Sequence, residues 1–201
     1  MTEDDATNSM TDMGSPYGAL QTAFGAQELK ARDRFYDLGE GADLLDQMKE
    51  KLGESETGDR LLKVADHYGV EIRLIKSKKL QSSVHGTKEV FLSAEAGQKE
   101  IALSQLLELG GALRELEQNI VGYGMPSENE DPFEKASRIH TKYLDKIVHM
   151  CKIGHELTHV YGDQVTDILN QFGIIDIYEA YINNLGHEAM GQIYTKAQEE
   201  V

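Results

Sequence analysis

Residues 146–162 read KIVHMCKIGHELTHVYG, and His155 to His159 hold the pattern His-Glu-x-x-His. A helix sets residues four apart on one face about one turn apart, so imidazoles at 155 and 159 can grip one metal ion with Glu156 beside them. Ile147, Met150, Ile153, Leu157 and Val160 recur at helical spacing and can bury one side of that helix. Asp131-Pro132 offers a cap and a first turn, and Gly162 offers a stop, so one helix is expected over 132–161. Lys152 is the one nearby charge that suits a metal site badly.

Two imidazoles do not complete a catalytic zinc site, which takes three protein ligands and leaves a fourth place to water. The run His155-xxx-His159-xx-Gly162 would put a third histidine at 165, but that residue is Val165. Glu179, in the following segment IYEAYINNLGHEAMGQIY, is the next choice, with Asn183 one turn further on. Asp163, Asp167, Asp176 and His187 are rival ligands within reach in sequence.

HELTH followed at that distance by EAYIN resembles the gluzincin group of zinc metallopeptidases, and in particular a compact bacterial family of metallopeptidases. The resemblance covers about residues 59–197 and rests mainly on the last fifty. It implies a zincin-like fold, one Zn2+ per chain on His155, His159 and Glu179, and Glu156 as general base. It also implies Asn183 as a group that orients a ligand histidine from outside, where larger gluzincins more often have Asp. The activity implied is endopeptidase hydrolysis of a peptide or protein by a metal-activated water. Few residues follow Glu179, so the donor that steadies the transition state must come from elsewhere, with Tyr161, Tyr178, Tyr181, His187 and Tyr194 as candidates. Glu156→Gln is then expected to keep zinc and fold while abolishing cleavage.

Outward from this centre the chain divides into a tail over 1–25, a helical amino-terminal extension over 26–58 and the metallopeptidase domain over 59–201. The tail, rich in Thr, Ser, Asn, Gly and Met with scattered acids, buries too little apolar surface to order itself. Two short helices are expected over 26–52, parted by Gly39 to Gly41, then a loop over 53–59 and a helix over 59–68 ended by Gly69. Strands are expected at 70–75 and 89–93, joined by a polar linker, with the second forming an edge on which an extended substrate could pair. Core helix 98–121, loop 122–133 and a last helix over 174–198 complete an α+β, mostly helical fold. Cys151 reads as a small buried hydrophobe, and His149, six residues before His155, should face elsewhere.

The net charge of -15 repels nucleic acid and anionic membrane surfaces, which disfavours both as partners. The acidic start has no apolar stretch for Sec export, so the expected compartment is the cytoplasm, with delivery by a machine that reads no cleavable signal as the alternative. A second class of function stands beside the peptidase: a non-catalytic, zinc-stabilised binding or regulatory module whose acidic amino-terminal region engages a basic partner.

Overall fold

A computed structural model describes residues 38–77, 81–95, 97–123 and 130–199. The expected tail and the first part of the extension lie outside them. The fold is α+β and mostly helical: α1 (Leu38–Gly53), α2 (Glu56–His67), β1 (Glu71–Lys76), β2 (Ser82–His85), β3 (Glu89–Ala94), α3 (Leu103–Ile120), α4 (Pro132–Glu156), α5 (Thr158–Tyr161), α6 (Gln164–Gln171), α7 (Ile175–Ile182) and α8 (His187–Glu199). Among the described residues no helix is long and apolar enough to cross a membrane.

The centre is α3, whose Leu106, Leu107, Leu109, Ala112 and Leu116 are wholly buried. The sheet lies against it, α4 runs along it, and α1, α2 and α6 also touch it. Gly110 and Gly111 sit where α4 comes closest. A Cβ at Gly110 would meet Ile153 Cδ1 at 2.4 Å, and one at Gly111 would meet Met150 Sδ at 2.9 Å. The glycine pair that weakens α3 as an isolated helix is therefore what lets two helices pack closely.

The sheet order is β1-β3-β2, with β1 and β3 parallel and β2 antiparallel to β3. The expectation of an edge strand at 89–93 is thus corrected: β3 is central. Val90, Phe91 and Leu92 are all buried, and such an uninterrupted apolar run marks a strand covered on both faces. The linker expected between two strands contains β2, which turns back at Gly86 (φ 62°).

Helix boundaries also differ: the helix expected from 59 starts at Glu56, and the one expected from 98 starts at Leu103. The helix expected over 132–161 stops at Glu156 and resumes as α5, and α6 adds a helix where none is expected. The helix expected over 174–198 is two, because Asn184 takes a left-handed conformation (φ 54°). Positions 58 and 59, where the extension is expected to meet the next domain, both lie within α2. Leu44, Met48 and Leu52 of α1 share a core with α3 and α4.

The turn between α1 and α2 is tight. Ser55 caps α2 by accepting the Gly58 amide at 3.0 Å, and a Cβ on Gly58 would lie 2.2 Å from the Leu52 carbonyl oxygen. Because the obstacle is backbone, Gly58→Ala should lower the unfolding free energy by about 1–3 kcal/mol. Urea denaturation checks this, and an unchanged midpoint would mean that the turn yields.

Candidate functional site

The five residues of HELTH do not share one helix. Glu156 is the last residue of α4, and Leu157, at φ -86° and ψ 0°, caps it before α5 starts. Leu157 is fully buried and pins the junction to the core.

The carboxylate of Glu156 lies at the amino end of α2. Its Oε2 accepts the Ser55 hydroxyl at 2.6 Å and the Thr57 amide at 2.8 Å, while Oε1 accepts the Thr57 hydroxyl at 2.7 Å. Ser55 and Thr57 are buried, and a helix amino terminus favours an anion there. Burial pushes the Glu156 carboxyl upward, but the bonds from Ser55 and Thr57, with a smaller pull from Lys152 at 4.0 Å, hold it below the usual carboxylate range. A carboxylate satisfied at both oxygens and made less basic is poorly placed to take a proton from water.

Thr158 and His159 act at the other side of the junction. The Thr158 hydroxyl donates to the Gly154 carbonyl at 3.2 Å, and His159 Nδ1 lies 2.7 Å from the Glu156 carbonyl. The Val160 amide turns to Leu157 O at 3.0 Å. Side chains thus take carbonyls that a continuing helix would give to backbone amides. His155, near the end of α4, faces α7: its ring is 6.2 Å from Tyr178 and 6.0 Å from Tyr181, with Nδ1 3.4 Å from the Tyr178 hydroxyl.

The other candidates scatter. Glu179 is exposed and lines a cleft of about 380 Å³ between α7 and α8 with Asp176, Asn183, Leu185 and Lys196. Neither histidine of HELTH borders that cleft. The Asn183 side-chain amide donates to the Glu179 backbone carbonyl at 2.8 Å. Asp163 and Asp167 are exposed on α6 and its cap. Among the described residues no three His, Cys, Asp or Glu side chains converge as a metal-binding group. The chemistry of the donors suits zinc; Glu179 lines a cleft that neither His155 nor His159 borders, and the Glu156 carboxylate is engaged by Ser55 and Thr57.

Of the five proposed donors, Tyr178 and Tyr181 stand beside His155. The Tyr181 phenol is held above its usual range by burial and then by Glu156, Cys151 and Tyr178. Tyr161 faces the end of α1: burial raises its phenol, Lys51 opposes that and Glu54 adds to it. Tyr194 is buried against the His140 ring at 4.7 Å, and His140 lies about 22 Å along α4 from His155. The His187 side chain lies outside the described residues.

Cys151 is fully buried, and burial pushes its thiol up to about 12. His149 Nδ1 bonds the Asp145 carbonyl at 2.9 Å, away from HELTH. GESETGD at 53–59 reads as loop from its composition, which hides Ser55 and Thr57. A serine followed by Glu56 and Asp59 in a first turn is the capping signal that marks them. Comparison of the chain with models of protein families, with characterised proteins and with solved structures finds no match.

Proposed function

We propose that this chain is a binding or regulatory module without peptidase turnover, and that HELTH is a junction joining three helices. The observation that supports this reading is the Glu156 carboxylate, which spends both oxygens on Ser55 and Thr57. These bonds take three of the about four acceptor sites of the carboxylate, and a general base does better with its lone pairs free for water. The strong negative charge makes a basic protein segment the fitting partner.

A second reading is favoured by His159 itself. With Nδ1 on a backbone carbonyl, its Nε2 is the nitrogen left for a metal, as in many metal-binding histidines. In that reading the chain is the zinc endopeptidase, His155 and His159 hold the metal, and Glu156 leaves Ser55 and Thr57 to act as base.

The two readings part on one assay. Zinc-supplied full-length protein is incubated with a mixed fluorogenic peptide library, wild type beside Glu156→Gln. The expected result is the same background in both. Hydrolysis that a chelator stops and Glu156→Gln removes would establish the peptidase.

A further inference from the structure

We propose that the cleft between α7 and α8 is the docking site for an amphipathic segment of a partner protein, one that presents an aliphatic side chain beside lysine or arginine. This rests on the reading of the chain as a module for a basic partner, and it assigns that partner to one face. The charge of the chain is unevenly spread. Residues 153–201 hold eight Asp or Glu and a single Lys, net -7, whereas residues 61–152 hold thirteen acids and thirteen Lys or Arg and are neutral. Asp163, Asp167, Asp176, Glu179 and Glu188 are exposed, and none of their carboxylates has an ion-pair or hydrogen-bond partner among the described residues. On α3 and α4, by contrast, Glu117 is matched by Arg60 and Arg114, and Asp145 by Arg114. Exposed carboxylates without counter-ions set up a local potential that draws a cationic segment.

An acidic surface alone would attract any cation, and the cleft adds shape and apolar walls. Ala180 and Ile193 line it beside Asp176 and Glu179, which stand three residues apart on α7. Its volume of about 380 Å³ is of the size that seats a side chain and excludes the water around it. The turn that leads from α7 into α8 is a helix cap: the Leu185 amide donates to Ala180 O at 2.9 Å and the Asn184 amide to Tyr181 O at 3.0 Å, with Asn184 left-handed. That pattern fixes the backbone of Leu185, yet its side chain stays 46% exposed at the cleft, and Ile182 is 43% exposed. A pinned aliphatic side chain next to unpaired carboxylates can receive a partner without first ordering a loop, so less affinity is lost to immobilisation. A second copy of the chain, with the same net charge of -15, is repelled.

Fluorescence anisotropy tests this, with a fluorescein-labelled leucine-lysine peptide in amphipathic helical order titrated with the full-length protein at low salt. Asp176→Asn/Glu179→Gln should weaken binding about fivefold. Leu185→Ser should weaken it by a similar factor. Asp43→Asn/Asp46→Asn removes the same charge from exposed positions on α1, which packs on α2, α3 and β1, and should stay within about twofold of wild type. An equal loss from the α1 pair, or unchanged binding in both cleft variants, would overturn the cleft as the site and leave the binding-module reading standing. No binding of the leucine-lysine peptide to wild type would overturn both. Should Asp176→Asn/Glu179→Gln fail to unfold cooperatively on heating, Leu185→Ser, at an exposed position, is read by the same criteria.

Discussion

Glu156→Ala should lower the unfolding free energy by about 2–4 kcal/mol, because it strands the Thr57 amide and two buried hydroxyls that now share one carboxylate. Glu156→Gln should cost about half as much, since one oxygen remains to accept. Urea denaturation of the two variants beside wild type measures this. A solvent-facing catalytic glutamate would give changes within about 0.5 kcal/mol, and that result would remove the capping role. Glu156→Gln should still fold, as the sequence leads one to expect, at this lower stability.

The same contact has a pH signature. The folded-state carboxyl lies below its ordinary value, so the unfolded chain binds the proton more readily. The stabilisation from Glu156 is full above the unfolded value of about 4.3 and is lost as pH falls through the lower folded value. The stability gap between wild type and Glu156→Ala should accordingly be constant near neutrality and shrink in acid.

Local signals carried the reading of the fold a long way. Asp131-Pro132 opens α4, Gly69 follows the end of α2 and Gly162 ends α5, because caps and left-handed turns are written in single residues. What stayed hidden depends on partners distant in the chain. Nothing in HELTH alone says that Ser55 and Thr57 will claim Glu156, a hundred residues back. The pattern fixes which side chains could meet in a continuous helix, while α4 ends at the residue that makes the tertiary contact with Ser55 and Thr57. The place of β3 was more accessible, since Val-Phe-Leu in succession argues for burial on both faces.

Lys146→Ala should cost still more, about 3–5 kcal/mol, because it removes the cation from a buried charged seam. Lys146 is buried on α4, with its ammonium 3.1 Å from Glu115 on α3. Glu108, also buried on α3, faces the same charge and accepts the Ser82 hydroxyl of β2 at 2.7 Å. Burial pulls the ammonium down, but Glu115 and then Glu108 outweigh it and hold it above its usual range. Its contribution is therefore present below the unfolded value of about 10.4 and lost only as pH rises through the folded one. Gly111 makes room for this crossing, since a Cβ there would meet Lys146 Cε at 3.1 Å. Removing the lysine takes from Glu108 and Glu115 the cation they share, whereas Lys146→Met with Glu108→Gln and Glu115→Gln removes the whole set. Chemical denaturation should find that triple variant more stable than Lys146→Ala, because an emptied seam needs no counter-charge while a half-emptied one does. If Lys146→Ala alone unfolds with the wild-type midpoint, the seam contributes nothing, and apolar packing by Ile153 and Met150 suffices to hold α4 on α3.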